Sequence, residues 1–186
     1  MKRVLGFVVT FGVFAMLVAP ALARVVAIET AVALTDDSEP AVDAAVAEAM
    51  DPVARGARAM GLACTQFSSP SGFEDRGNHS CAADLAALAR AVLRQPRLAA
   101  IVRRRQAVLP FPIKGGKLYL YNNNPLLRQG YPGTTGVKTG YTDAAGRCLV
   151  ATARRGPLKL GVVLLHSPDP ATQARKLLDR GFAIDR

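Results

Sequence analysis

The sequence contains no tryptophan, two histidines, three cysteines and only 6% aromatic residues. Three cysteines in 186 residues cannot staple a fold, so a disulfide-dense miniprotein is excluded. No Cys-x-x-Cys occurs, and His79 and His166 have no metal-ligand spacing. Neither a metal site nor a cofactor is expected. There is no tandem repeat, collagen-like period or Gln/Asn tract. Acidic residues are few: 14 Asp and Glu against 24 Lys and Arg, a net charge of +10. The remainder, 50% hydrophobic and 20% charged, is the composition of a folded chain rather than a disordered one. Its length suits one domain of ordinary size.

The N-terminus stands apart. Lys2 and Arg3 precede twenty uncharged residues, Val4 to Ala23, ending in Pro20-Ala21-Leu22-Ala23. A basic start, an apolar stretch and a small-residue site form the layout of a secretory signal peptide over residues 1–23. A membrane anchor is the other reading, because twenty uncharged residues can span a bilayer. Either reading sends the chain out of the cytoplasm, to the periplasm or the cell-wall side of the membrane. Cleavage after Ala23 would remove Lys2 and Arg3 and take the charge from +10 to +8. Export would place Cys64, Cys81 and Cys148 in an oxidising compartment. A Cys64–Cys81 bridge is then open, although small buried apolar cysteines are the favoured reading.

Residues 24–53 form a junction without clear character. Alanine-rich sequence from Ala41 to Leu62 predicts helix, divided at Pro52. Thr65 to Asn78 reads as a loop. Ser80 suits an N-cap, with Asp84 in the first turn of a helix whose Leu85, Leu88 and Val92 share a buried face. Pro96 opens a second short helix through Arg105, with Leu98, Ile101 and Val102 inward. The period then changes. Lys117 to Tyr121 alternates after a Gly115-Gly116 turn. Gly133 to Gly136 reads as loop, and Val137 to Thr142 is short and suits the edge of a strand. Cys148 to Arg154 and Leu158 to His166 form a hairpin around Arg155-Gly156-Pro157. Asp169 and Pro170 start a last helix with Ala171, Ala174, Leu177 and Leu178 inward, closed by Gly181. Helices, then an antiparallel sheet, then a closing helix make an α+β pattern.

The sharpest chemical signal is Lys138-Thr139-Gly140, set in the run Gly133 to Arg147 directly before the hairpin. A Lys-Thr-Gly of this kind accompanies Ser-x-x-Lys and Ser-Asp-Asn in β-lactamases and penicillin-binding proteins. Further matching stretches are Gly61-Leu62, Thr65-Gln66-Phe67, Ser71-Gly72, Asp84 to Arg90, and Asn122 to Leu127. From about Ala54 to Phe182 the chain resembles the serine-type D-alanyl-D-alanine carboxypeptidases, the low-molecular-weight penicillin-binding proteins. The resemblance implies a partial catalytic domain over 54–186, with an incomplete penicillin-binding-protein/β-lactamase-like transpeptidase fold. It implies a peptidoglycan stem peptide ending in D-Ala-D-Ala as substrate, and binding of β-lactams. Lys138 would supply positive charge in the cleft and the Thr139 hydroxyl would bind the terminal carboxylate. Gly140 would let substrate approach the strand, and the Tyr141 backbone N–H would form half of the oxyanion hole.

The nucleophile has no counterpart. The family uses Ser-x-x-Lys on one face of a helix. Three residues after Ser38, Ser68, Ser69, Ser71, Ser80 and Ser167 stand Ala41, Ser71, Gly72, Glu74, Ala83 and Pro170. Ser-x-Asn is absent as well: before Glu29 to Leu34, which resembles its usual sequel, Val26 and Ile28 occupy the serine and asparagine places. A helix that lies mid-core in the family is thus missing, and an exposed apolar patch is expected. A Cys–His hydrolase built on Cys148, or on Cys81 and His79, is disfavoured, because sequence proximity does not create triad geometry.

Two functional readings follow. One is a serine-type D-Ala-D-Ala carboxypeptidase domain of cell-wall biogenesis, inactive alone. The other is an exported, non-catalytic cell-wall binding or scaffold protein. The basic charge is compatible with an anionic wall or membrane surface. The run Arg103-Arg104-Arg105 suggests nucleic acid, but the leader argues against that partner.

Overall fold

The computed structural model describes residues 50–69, 76–111 and 115–184. The expected signal peptide and most of the 24–53 junction lie outside the described residues. The chain divides after Asp84 into two compact units.

In the first unit, residues 50–59 form helix α1, continuous through Pro52. The division expected at that proline therefore does not fall among the described residues. Between α1 and Ala82 the described residues are held by cross-links rather than by regular structure. Gln66 and His79 form an isolated antiparallel bridge. Cys64 and Cys81 are joined by a disulfide, with Cα atoms 5.9 Å apart. This corrects the expectation of buried apolar thiols for that pair, since a bridge of this loop length restricts the unfolded chain by about 3 kcal/mol. The buried Asp84 carboxylate accepts from the Cys64 N–H at 2.9 Å and the Thr65 hydroxyl at 2.6 Å.

The second unit carries helix α2 (Ala82–Arg94) almost whole, then α3 (Pro96–Val102). Because α2 starts at Ala82, Cys81 holds the N-cap position. Ser80, expected there, instead pairs its hydroxyl with that of Thr65 at 2.9 Å. Leu88 and Val92 are buried as their spacing requires, and Leu85 half-buried. In α3 Val102 is buried, but Ile101 is exposed and the helix stops before the three arginines. One turn of helix separates Leu98 from Val102, so that pair defines the inward side and Ile101 falls off it.

Strands β1 (Gln106–Phe111) and β2 (Gly116–Tyr121) form a two-stranded antiparallel sheet of their own. β1 was not predicted. Pro110 lowers the strand signal, yet both strands here are edges and tolerate a residue without an N–H. The one-turn helix α4 (Pro125–Arg128) follows, capped by the Asn124 side chain, which accepts from the Leu126 N–H at 3.0 Å.

A second sheet contains β3 (Thr134–Thr142), β4 (Gly146–Arg155) and β5 (Leu158–Leu164), antiparallel in that order. β3 begins inside the stretch expected to be loop, and a register shift between Thr134 and Gly136 bends the strand near its start. The last helix, α5 (Pro170–Ile184), crosses one face of this sheet. Ala174, Leu178 and Phe182 pack with Leu149, Ala151 and Ala153, and with Leu126 and Tyr131 from the α4 region. Leu177, expected inward, is exposed. Gly181 does not end α5 but sits within it. A Cβ there would come 2.7 Å from Leu160 Cδ1, so the glycine lets the leucine seat against the helix. Exposed apolar side chains are present, as expected, but concentrate on the hairpin (Val108, Leu109, Tyr119, Tyr121) rather than on the sheet, where Val150 is 8% exposed.

A polar clasp closes the α5 contact. The Tyr131 hydroxyl donates to Asp179 Oδ1 at 2.7 Å, and Arg155 Nη2 donates to the same oxygen at 3.0 Å. The Arg155 guanidinium lies 5.1 Å from the Tyr131 ring centroid and 4.4 Å from that of Phe182. Burial and the Asp179 bond push the Tyr131 pKa up to about 12 from 10.0. Between those values the unfolded phenol ionises while the folded one stays neutral. The stability that Tyr131 contributes is therefore full below pH 10 and lost as pH rises towards 12. Urea titrations should show a decline over that window that is shallower in Tyr131→Phe. The variant itself should lose about 1 kcal/mol at neutral pH. Identical pH slopes would contradict the coupling.

Candidate functional site

β3 is an edge strand: β4 pairs with one side of it, and no described strand pairs with the other. Lys138, Thr139, Gly140 and Tyr141 lie along it, opposite Val150, Leu149, Cys148 and Arg147. Directly opposed residues in an antiparallel pair share a face. Thr139 and Tyr141 thus project with Leu149 and Arg147 on the α5 side of the sheet, and Lys138 and Gly140 on the other. The sequence motif places its two polar groups on opposite faces of one strand, and the free edge between them is the line both can reach.

Lys138 is half-buried and donates its ammonium to the Thr139 carbonyl. Burial holds its pKa below the ordinary lysine value of 10.5. Gly140 leaves its face open, since a Cβ there would meet nothing nearer than Cys148 Cβ at 4.0 Å. The Tyr141 side chain is 66% exposed, its hydroxyl donating to Asp143 Oδ1 at 2.8 Å.

Beyond Tyr141, the β3–β4 turn and the segment after β5 enclose a cleft of about 310 Å³ lined by Tyr141, Gly146, Arg147, His166, Ser167 and Pro168. Arg147 is positioned by its Nη1 donating to the Pro168 carbonyl at 3.1 Å. Its own carbonyl accepts from the Ser167 N–H at 2.9 Å. The Ser167 hydroxyl reaches Gln173 of α5 at 2.9 Å. Asp169 caps α5 by accepting from the Thr172 N–H at 3.1 Å, and the Thr172 hydrogen bonds hold its carboxyl below the usual carboxylate range. The start of α5 and the ends of β4 and β5 thereby fix the cleft wall.

Arg147 and His166 were not assigned a site role from sequence. Arg147 closes the Gly133–Arg147 run, and a three-residue turn after Thr142 places it opposite Tyr141. Two alternatives weighed from sequence do not assemble. Cys81 is bonded to Cys64, which removes a Cys81–His79 pair. The Cys148 thiol faces the turn carbonyls of Ala145 and Gly146, at 3.5 and 3.8 Å. What the described groups offer together is two cations, a hydroxyl and an open strand edge, a set suited to an extended peptide bearing a carboxylate.

A family profile described as D-alanyl-D-alanine carboxypeptidase matches residues 27–169. The D-alanyl-D-alanine carboxypeptidase DacF of Bacillus subtilis is 33% identical over 130 residues, covering 68% of this chain and 33% of that protein. DacB2 of Mycobacterium tuberculosis is 35% identical over 137 residues, covering 69% and 46%. Among solved structures, a D-alanyl-D-alanine carboxypeptidase from Mycobacterium tuberculosis superposes with a TM-score of 0.65 at 32% identity, over 73% of this chain and 53% of that one. The Streptomyces K15 DD-transpeptidase gives 0.68 at 28%, over 74% and 55%. The chain thus spans between a third and just over half the length of these proteins. It shares part of their α+β fold.

The entry to β3 gives a test of the site's framework. Gly133 has φ +77°, its carbonyl accepts from the Arg154 N–H at 2.8 Å, and a Cβ there would run into the Arg154 carbonyl. Gly133→Ala should cost about 2–3 kcal/mol in chemical denaturation. Gly156→Ala, at φ +58° with open space around it, should cost about 1 kcal/mol. Equal losses would show that the strand does not depend on this close approach.

Proposed function

Because the chain belongs to the D-alanyl-D-alanine carboxypeptidase family, we propose that the β3 edge is the substrate wall of a serine-type carboxypeptidase domain acting on peptidoglycan stem peptides. The supporting observation is Lys138-Thr139-Gly140 on a sheet edge with which no described strand pairs, with Arg147 on the same face as Thr139. A stem peptide ending in D-Ala-D-Ala adds to that edge as an extra strand. Its terminal carboxylate takes the Thr139 hydroxyl and the positive charge of Lys138 and Arg147. Gly140 gives the peptide room, and the Tyr141 N–H serves the carbonyl under attack. β-Lactams carry a carboxylate beside an acyl group and fit the same wall. The leader in residues 1–23 supports a site of action outside the cytoplasm.

Cleavage in this family would have a serine attack the penultimate carbonyl, expel D-alanine and yield an acyl-enzyme that water resolves. These 186 residues hold neither Ser-x-x-Lys nor Ser-x-Asn. Alone they bind the peptide and do not turn it over. That same absence favours a second reading, a non-catalytic cell-wall binding or scaffold protein, for which the wall acts as a receptor.

Calorimetry with diacetyl-Lys-D-Ala-D-Ala tests binding. Lys138→Ala and Thr139→Val should each weaken affinity about tenfold, the worth of one charge-assisted contact. Since burial lowers the Lys138 pKa, its charge, and affinity with it, should fade as pH rises at values below 10.5. Lys138→Arg should flatten that profile. Unchanged affinity in all three variants would remove the motif from the site. Fluorescent penicillin should leave no covalent adduct; an adduct would contradict the missing nucleophile. Pull-down on purified peptidoglycan, lost in Lys138→Ala, supports the receptor reading, and equal retention opposes it.

A further inference from the structure

Charge is distributed unevenly along the chain. Residues 85–142 contain ten Lys and Arg and not one Asp or Glu. The other residues hold 14 cations and 14 acids, so the whole net charge of +10 resides in this stretch. It comprises α2 from Leu85, α3, the β1–β2 hairpin, α4 and β3. Among the described residues its arginines and Lys117 are exposed, and neither ion pair, Arg55–Asp51 or Arg155–Asp179, involves them.

Apolar side chains are exposed in the same place. In the hairpin register Val108 opposes Tyr119, Gln106 opposes Tyr121 and Pro110 opposes Lys117, so these six share one face. Val108 is 49% exposed, Tyr119 58% and Tyr121 69%. Arg103, Arg104 and Arg105 immediately precede Gln106, where this face begins, and the Arg105 guanidinium lies beside Gly130. The Asn122 N–H donates to the Arg105 carbonyl and Asn122 Nδ2 to the Arg104 carbonyl, both at 2.9 Å, tying the arginine turn to the end of β2 beside Tyr121. Ile101, 49% exposed, lies just before it.

We propose that this face of the β1–β2 hairpin, with the Arg103–Arg105 turn, docks on a membrane surface rich in anionic phospholipid. Two features select that occupant. A stretch that carries cations and no carboxylate of its own complements anionic headgroups. Tyrosines and aliphatic side chains beside the cations suit the boundary between headgroup and acyl chain, where an aromatic ring keeps its hydroxyl wet and its body in lipid. A soluble polyanion would use the arginines and leave the apolar tips idle. Among the described residues no helix is long and apolar enough to cross a membrane. The contact is peripheral, and it stands independently of the carboxypeptidase reading.

The test is flotation of the full chain with vesicles of equal parts phosphatidylglycerol and phosphatidylcholine, against vesicles of phosphatidylcholine alone. The ratio of the two affinities removes any contribution from apolar residues elsewhere in the chain. That ratio should favour the anionic vesicles. It should fall roughly 100-fold in the triple variant Arg103→Glu, Arg104→Glu, Arg105→Glu. It should stay unchanged in Lys159→Glu, Lys176→Glu, Arg180→Glu, which alters net charge equally outside the stretch. Tyr119→Ser with Tyr121→Ser should weaken anionic binding about tenfold. Circular dichroism confirms the fold of each variant; if the glutamate triple unfolds, the glutamine triple replaces it with a smaller loss expected. Equal losses in both triple variants would overturn the assignment to this face. Polyphosphate binding as tight as vesicle binding, with the tyrosine pair without effect, would overturn the lipid and leave a polyanion.

Discussion

The seating of α5 on one face of the β3–β4–β5 sheet is the contact on which the rest of the second unit depends. Leu149, Ala151 and Ala153 are at most 1% exposed beneath Ala174, Leu178 and Phe182. Burial of that order, at about 25 cal/mol per Å², supplies the main stabilisation of a small sheet. Because α5 packs across both β4 and β5 and β3 pairs with β4, the register of β4 fixes where β3 lies. The residues of β3 are consequently held by a rigid neighbour on one side, while no described strand covers the other. A wall that is firm behind and open in front is what recognition by strand addition requires.

The Tyr131, Asp179 and Arg155 cluster gives this contact its direction. One carboxylate oxygen receives both a phenol and a guanidinium, and the guanidinium also covers two aromatic rings. The Tyr131 bond is the first cause holding the Asp179 carboxyl below its usual range. Hydrophobic burial alone would let α5 slide along the sheet, whereas a shared acceptor at one end specifies a position. The start of α5, fixed in this way, brings Asp169 and Gln173 to the segment that holds Ser167 and Arg147. Packing far from the motif therefore shapes the cleft beside it.

Much of this was legible in the sequence, and the exceptions have physical causes. The β4–β5 hairpin could be read from two apolar runs around Arg155-Gly156-Pro157, and the inward spacing of Ala174 and Leu178 because one face of that helix is buried. The α+β class rested on the order of these elements, and the family resemblance on Lys138-Thr139-Gly140 and its flanking stretches. The strand nature of Thr134 to Gly136 was hidden by glycines and threonines, whose local preference is a turn, while pairing to Thr152 and Ala153 decides otherwise. β1 was hidden by Pro110. The Cys64–Cys81 bond was left open because spacing does not determine pairing. Gly181 was misread as a stop because its reason for being glycine, the seat of Leu160, is a tertiary contact. In the site, Lys138 and Thr139 were named from a motif, but their division between two faces follows only from register. Arg147 acquires a role only once β4 folds back on β3.

The central claim is that the outer edge of β3, backed by α5, receives an extended peptide through Lys138-Thr139-Gly140-Tyr141. Amide hydrogen exchange along β3, with and without saturating diacetyl-Lys-D-Ala-D-Ala, tests it most directly. The account predicts slowed exchange confined to alternate amides between Lys138 and Thr142, with β4 and β5 unaffected. Ligand-induced protection elsewhere in the chain, with β3 exchanging as before, would contradict it.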